Sequence, residues 1–425
     1  LKRLWGRKAM TAALAASLLA GIPFGGGSQA NAASADPGIR IMLDNVPLPF
    51  DSAPKAVNGV TLVPFRAIAE ALGITVVWDP NAKTIRANGP NGSGEATSVV
   101  LRIGSKTAEA DGAAVPLLTA PVMQNGRILI PLAFFGRQFG AQVGWDAQTR
   151  TVSIRSPQRA MRMLGFYALS SYGQIGRVST LNSVAFGWGR IDENSQFTVS
   201  GIDFKWPQAA GEVTPEKIVE AVNSAPADTY LMVYSENRKG ELTKLLSDKT
   251  LRDESIEKIA ALAAEKKFGG IMLDYEELGW KDDPATAKKL LNEYVSLLAD
   301  KVKPSGIRIG LALHPLNGAY KGYDYATLGK LADEIVVMAY NYHSESTPEP
   351  NDRVDSAIRL ALDAGVPKEK LLLGINVHHE NETSVGDKLG LAKRYDLSGV
   401  AFWRLGLLTE AEMRAIDAAA VKEEG

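Results

Sequence analysis

Two carboxylates are the side chains best placed to do chemistry: Asp274 and Glu276, in the run Phe268-Gly269-Gly270-Ile271-Met272-Leu273-Asp274-Tyr275-Glu276. Side chains alternate along an extended segment, so Met272, Asp274 and Glu276 share one face and Ile271 and Leu273 take the other. Two acids then stack inside the core that this strand enters. Like charges side by side and away from water are unfavourable unless one is protonated or both are hydrogen-bonded. A raised pKa on Glu276 would make it a general acid near neutral pH. An ordinary solvated strand end, as expected of Glu277, is the other reading of the same spacing. The chain has no cysteine, which excludes disulfides, thiolate metal sites and thiol nucleophiles together. Its four histidines are His314, His343, His378 and His379. The adjacent pair cannot both face one ion from a regular strand, and neither a metal nor a cofactor is expected.

The elements that must position these acids follow from the apolar pattern. Strand-like runs at Met161–Ala168, Ser183–Trp188, Thr229–Tyr234, Gly270–Tyr275, Arg308–His314, Ile335–Tyr340, Leu371–Val377 and Gly399–Trp403 alternate with amphipathic stretches. Those stretches include Thr214–Ser224, Glu254–Lys267, Ala285–Val302 and Asp352–Ala364, several opened by Thr, Ser, Asp or Asn and closed by glycine. Eight βα units within residues 161–425 predict an α/β fold, a (β/α)₈ TIM barrel. A doubly wound open sheet is the alternative, but the sequence carries neither a GxGxxG nor a Walker-type loop. In a barrel the strand ends after Leu273 open onto the C-terminal face, where active sites lie.

The 425 residues are too many for one ordinary domain, and 45% hydrophobic with 22% charged content is that of a soluble globular protein. Lys and Arg total 47 against 48 Asp and Glu, so there is no electrostatic case for nucleic acid or an anionic membrane. A polymer bound through hydrogen bonds and stacking fits better, and the protein is taken as a monomer. Lys2, Arg3, Arg7 and Lys8 precede an apolar run from Ala9 to Ile22, and Ala30-Asn31-Ala32 offers a small-x-small cleavage site. Residues 1–32 are therefore expected to be a signal peptide, giving a secreted protein, wall- or spore-associated, with no membrane contact after cleavage. An uncleaved anchor is the alternative, but the run is shorter than the ~20 residues of a bilayer span.

Residues 58–85 and 125–152 align at an offset of 67: Asn58-Gly59, Leu62, Pro64, Gly73, Val76, Trp78-Asp79 and Thr84 recur as Asn125-Gly126, Leu129, Pro131, Gly140, Val143, Trp145-Asp146 and Thr151. Each copy reads as a strand ending at proline, a helix (Arg66 to Leu72; Leu132 to Phe139) and strands around the Trp-Asp turn. Two copies make a small α+β module over residues 37–156, with residues 86–98 joining them and Ser156-Pro157-Gln158 leading into the barrel. Through Leu62-Val63-Pro64-Phe65-Arg66 and Val77-Trp78-Asp79 the module resembles the family named for the N-terminal region of copper amine oxidases. Copper sites need imidazole or sulfur ligands, and all four histidines lie outside the module. It is read as a binding or spacer module that could attach the protein to the cell wall. Trp78 and Trp145 are expected to pack in each copy's core, with sugar stacking as the alternative.

The strand carrying the two acids resembles the DxxDxDxE signature of family 18 glycoside hydrolases. By that resemblance Glu276 protonates the leaving oxygen and Asp274 is the carboxylate before it, while Gly269 and Met272 stand where the earlier aspartates would be. Val337-Met338-Ala339-Tyr340-Asn341 resembles the sixth-strand MxYD, with Asn341 for the aspartate, and Gly399-Val400-Ala401-Phe402-Trp403 resembles the eighth-strand GVMxW. The third-strand SxGG is replaced by Tyr234-Ser235-Glu236. The resemblance implies Glu276, Asp274 and Tyr340 as catalytic residues and Trp403, Asn341, Met338 and Tyr167 as substrate-binding ones. It implies a substrate-assisted, retaining glycosidase acting on β-linked N-acetylglucosamine polysaccharide, and with the expected leader a secreted one. The segment Gly240–Leu242 to Leu251–Asp253, running into Ile256–Ile259, resembles the spore-cortex and wall-lytic branch, which favours peptidoglycan over chitin oligomers. A chitinase-like carbohydrate-binding protein of the wall, weak or inactive in catalysis, is the alternative.

Overall fold

Strands buried on both faces and separated by helices can satisfy their backbone only by pairing in parallel, and the second half of the chain does so in a closed ring. The computed structural model describes residues 38–224, 227–343 and 346–424. The barrel strands, labelled in chain order, are β1 (Arg159–Tyr167), β2 (Ser183–Ile191), β3 (Asp228–Ser235), β4 (Gly270–Tyr275), β5 (Arg308–Leu313), β6 (Glu334–Val337), β7 (Leu371–Asn376) and β8 (Gly399–Trp403). Each pairs in parallel with the next, and β8 pairs with β1, closing the eight-stranded barrel. Helix starts follow the capping residues: Asp248, Asp283, Asp324, Asn381 and Thr409 each accept amide hydrogen bonds from the first turn they open. β6 stops at Val337, three residues short of the expected end at Tyr340. Beyond it the Met338 amide still donates to the Leu313 carbonyl at 2.9 Å, whereas the amides of Ala339 and Tyr340 turn back onto Val337 and Met338 at 2.9 and 2.8 Å, so the chain has left the ladder before Tyr340 and Asn341.

Alternation sorts the side chains into two cores. Leu164, Phe166, Ala185, Tyr230, Met232, Met272, Ala312, Val336, Met338, Leu372 and Ala401 fill the barrel. Ile271, Leu273 and Tyr275 join the larger core between strands and helices. The N-terminal floor of the barrel is charged: Arg162 Nε meets Glu334 Oε2 at 3.0 Å, Asp228 bridges Arg162 and Arg308, and the Arg308 guanidinium lies 5.3 Å from the Tyr230 ring centroid. Such a network at the closed end of a barrel serves stability rather than chemistry.

A separate N-terminal domain, mostly strands, precedes the barrel, with its own core built on Ile41, Val63, Ile68, Ile85, Val99, Ile130, Phe135 and Ile154. Strand Val60–Pro64, helix Phe65–Ala71 and strands Thr75–Asp79 and Thr84–Pro90 are followed in the same order by Arg127–Pro131, Leu132–Gln138, Gln142–Asp146 and Thr151–Arg155. The first strands of the two sets pair antiparallel, Leu62 opposite Pro131 and Pro64 opposite Leu129. Residues 86–98 are not a loose joint: they belong largely to an antiparallel hairpin, Thr84–Pro90 with Ala96–Arg102, because Ile85, Ala87, Val99 and Leu101 bury one face. The two tryptophans also part company. Trp78 packs against the core, whereas Trp145 is 53% exposed, which corrects the expectation of a core role for it.

The N-terminal domain is stapled to the barrel. Arg394, in helix Glu382–Arg394, donates to the carbonyls of Leu43, Val46 and Pro47 at 3.1–3.3 Å, and Asn45 donates to Asp387 at 3.0 Å. Val46 is buried in the barrel's outer core. Arg394→Ala leaves three carbonyls without their donor and is expected to destabilise by about 1–3 kcal/mol, seen as a lower melting temperature and faster proteolysis near Ser156-Pro157-Gln158. The expected leader, residues 1–32, lies outside the described residues. Among those described, no helix is long and apolar enough to cross a membrane.

Candidate active site

β4 is the element that decides the site. Its inward face runs Met272, Asp274 and on to Glu276, whose amide donates to the Ser235 carbonyl at 2.8 Å and so extends the β3–β4 pairing by one residue. Asp274 is 2% exposed, and its Oδ1 has no hydrogen-bond partner among the described residues. Below it sits Met272, packed where Gly310 of β5 leaves room: a Cβ at Gly310 would fall 2.5 Å from the Met272 methyl. The carboxyl therefore has hydrocarbon underneath and Glu276 above. Burial, and then the Glu276 charge, hold the Asp274 pKa well above its ordinary value. Glu276 is half-buried, its side chain 26% exposed at the barrel mouth.

Aromatic rings build the walls. Trp403, at the end of β8, packs edge-on to Phe166 at 5.3 Å and nearly parallel to Phe204 at 6.4 Å, and Phe204 stacks on Tyr234 at 4.1 Å. Tyr340 reaches the same interior cluster, in space that Gly374 of β7 leaves open; a Cβ there would lie 3.1 Å from the Tyr340 ring. Burial first, then the charges of Asp274 and Glu276, push the Tyr340 phenol well above its usual pKa, so it stays a hydrogen-bond donor. Met338 lines the barrel beneath. Asn341, with φ +60°, is exposed and accepts from Asn376 Nδ2 at 3.4 Å. Tyr167 does not join them. As the residue after inward-facing Phe166 it has the opposite parity, and its ring packs with Phe186 and Trp188 at 5.1 and 6.0 Å in the outer core. Its assignment as a substrate-binding residue is corrected accordingly.

Several residues at the mouth stood outside the predicted set. Tyr234 Oη donates to Glu236 at 2.5 Å, and Arg238 pairs with Glu236 and, at 3.5 Å, with Glu277. His314, directly after β5, brings Nε2 to 3.5 Å from Glu276 Oε2. Glu349, almost fully buried, accepts from the amides of Asn341 (2.7 Å) and Tyr342 (3.4 Å) and meets His379 Nδ1 at 3.0 Å and His343 Nε2 at 3.8 Å. It clamps the segment that follows Tyr340. Glu349→Ala is expected to lower kcat/KM by about 10-fold or more, since a buried acceptor of several donors is worth about 1.5–3 kcal/mol, and urea midpoints separate this from global unfolding. Among the described residues no group of three or more His, Cys, Asp or Glu is arranged to hold a metal.

A family model, Glycosyl hydrolases family 18, matches residues 162–379, more than half of the chain and inclusive of Asp274, Glu276, Tyr340 and Asn341. The chain belongs to glycosyl hydrolases family 18. The matched stretch ends before β8, so Trp403 enters the site by geometry alone. A second family model, the copper amine oxidase N-terminal domain, matches residues 42–154, a stretch that contains no histidine or cysteine and so does not fit a copper site. Among curated proteins, the family 18 chain is 27% identical over 144 residues to the cortical fragment-lytic enzyme of Bacillus subtilis (strain 168), a match covering 32% of each. The chain spans about a third of the length of the two curated relatives it matches, at 33% and 32%. Its fold is that of the Bacillus cereus spore cortex-lytic enzyme SleL, with a TM-score of 0.51 at 15% identity over 64% of this chain and 77% of that one. It is also that of a chitinase from Chromobacterium violaceum, with a TM-score of 0.50 at 17% identity over 61% and 99%.

Proposed function

We propose that this family 18 chain is a secreted glycosidase that cleaves β-linked N-acetylglucosamine polysaccharide, with peptidoglycan of the wall or spore cortex favoured over chitin. The observation that carries the reading is the vertical pair on β4: a buried Asp274, its pKa held well above the ordinary value first by burial and then by the Glu276 charge, beneath a half-exposed Glu276 at the mouth of an aromatic-walled barrel. No second carboxylate is needed as nucleophile if the sugar's own 2-acetamido oxygen attacks the anomeric carbon. Glu276 gives its proton to the departing glycosidic oxygen as that C–O bond breaks. Asp274 accepts the acetamido N–H, and to do so it releases its proton to Glu276. Binding of an acetamido sugar thus arms the acid. The Tyr340 phenol orients the acetamido oxygen, which brings the attacking atom into line on binding. Water then adds to the oxazolinium ring, returning its proton to Glu276, and the anomeric configuration is retained.

Trp403 supplies the floor on which the sugar face stacks. Trp403→Ala is expected to raise KM for oligosaccharides by about 10- to 100-fold, the equivalent of about 1.4–2.7 kcal/mol of lost contact, with a smaller change in kcat. Substrate choice is tested by mass spectrometry of products from spore cortex, vegetative wall and chitin hexamer. Release of muropeptides with little attack on the hexamer supports the reading, and the reverse assigns the enzyme to chitin. Proton NMR of the first-formed anomer tests retention. The N-terminal domain is proposed as a duplicated module, residues 37–156, that attaches the protein to the wall through exposed surface such as Trp145. Removing residues 33–156 is expected to abolish wall association while leaving cleavage of soluble glycan. Binding of oligosaccharides without any product would instead support a carbohydrate-binding protein on the same barrel.

A further inference from the structure

His314 occupies a position that the two-carboxylate description leaves without a role. It is the first residue beyond β5, so it reaches the mouth one strand over from Glu276. Its backbone is pinned by Tyr325, whose hydroxyl donates to the His314 carbonyl at 2.9 Å. Its ring is held between Tyr320, 4.2 Å away, and Tyr323, 5.8 Å away, and the side chain is only 12% exposed. The loops carrying these groups are locked together where Gly322 donates to the Leu278 carbonyl at 3.0 Å, and where a Cβ on Gly279 would collide with the Gly322 backbone at 2.3 Å. The imidazole is therefore built into place rather than trailing in solvent.

Its Nε2 is shielded from water and has no hydrogen-bond partner among the described residues. The acceptor it faces is Glu276 Oε2, 3.5 Å away. That separation is too long for a good hydrogen bond, but a rotation of the half-exposed Glu276 side chain closes it, and such bonds in substrate-free sites commonly tighten when substrate binds. A buried imidazole nitrogen without a partner is unfavourable, and the tautomer that carries the proton on Nε2 can satisfy it against the Glu276 carboxyl. The other charged groups nearby are committed elsewhere or are acidic. Arg238 is held by Glu236 and Glu277, Asp274 lies one strand position below Glu276, and Tyr320 and Tyr323 face the imidazole from the β5 side.

We infer that His314 is a positioning residue for the acid, donating its Nε2 proton to the Glu276 carboxylate in the interval between leaving-group protonation and water activation. The inference rests on the reading of Glu276 as the proton donor. When the O–H bond of Glu276 breaks and the leaving oxygen takes the proton, a carboxylate appears in a site walled by aromatic rings. A preplaced donor stabilises that developing charge without reorganisation. The imidazole keeps its own proton throughout: water returns a proton to Glu276 and the bond relaxes.

The test uses the full chain with His314→Ala, His314→Gln and Glu276→Gln, assayed on an unactivated oligosaccharide and on its 4-nitrophenyl glycoside. For His314→Ala, kcat on the unactivated substrate is expected to fall about 10- to 100-fold, the worth of one hydrogen bond to a charged group, with KM little changed. The aryl glycoside, whose leaving group needs little protonation, is expected to lose far less. Removing a donor to the charged form raises the acid's pKa, so the basic limb of kcat/KM shifts upward by about one unit; His314→Gln, which retains an N–H, moves it back. If His314→Ala fails to fold, His314→Gln and His314→Leu, close in size and differing in the donor, carry the comparison. An unshifted basic limb and unchanged kcat in the donor-less variant, with Glu276→Gln inactive, overturn the role of His314 alone. An active Glu276→Gln overturns the reading of the site itself.

Discussion

Glu276→Gln is expected to lower turnover by at least about 10²- to 10⁴-fold, the usual contribution of a positioned general acid, with the melting temperature close to that of the parent. The carboxamide keeps the shape and the half-exposed position of the side chain but has no proton of suitable acidity to give the leaving oxygen. It also removes the charge that Asp274 senses, so the Asp274 pKa should relax downward toward its ordinary value. Steady-state rates on the oligosaccharide, together with circular dichroism melts, make the comparison. Near-parental turnover would remove Glu276 from the chemistry.

Asp274→Asn separates catalysis from stability in a second way, and its sign follows from linkage. The folded pKa of Asp274 lies well above 3.8, mainly through burial. The native state therefore holds a proton that the unfolded chain releases, and stability falls as pH rises from the unfolded value towards the folded one. Each unit of elevation amounts to about 1.4 kcal/mol. Asparagine is an uncharged neighbour in shape to the protonated acid and does not titrate. The variant should therefore gain melting temperature relative to the parent as pH is raised from about 4 to neutrality, and match it most closely in acid. Activity should fall by at least about 10-fold, because the amide cannot pass a proton to Glu276 or accept the acetamido N–H as a carboxylate does. A melting-temperature difference that is flat with pH would contradict the buried, protonated Asp274.

The pattern along β4 was legible because its polar residues interrupt an apolar run at intervals of two, which only an extended strand places on one face. The same rule fails for β1. Met161 to Tyr167 is apolar or small at nearly every position, so nothing in the sequence tells which parity faces inward, and Tyr167 was assigned to the mouth when it packs outward against Trp188. β6 was drawn too long for a similar reason: Met338, Ala339 and Tyr340 look like strand, but only the Met338 amide still meets β5, at Leu313, and those of Ala339 and Tyr340 turn back onto the chain instead of joining the ladder. His314 and Tyr234 could have been found by treating the last residues of β3 and β5 as strictly as those of β4. Glu349 could not, since its donors come from the β6 turn and from His379 beyond β7, a convergence that only tertiary structure creates.

The staple formed by Arg394 on Leu43, Val46 and Pro47 bears on how a polymer is met. With so short a joint at Ser156-Pro157-Gln158 and a buried guanidinium beside it, the N-terminal domain is a bracket rather than a leash. Whatever holds that domain also fixes the compass bearing of the barrel mouth, so reach along a glycan must come from the whole body relocating, not from one half swinging about the other.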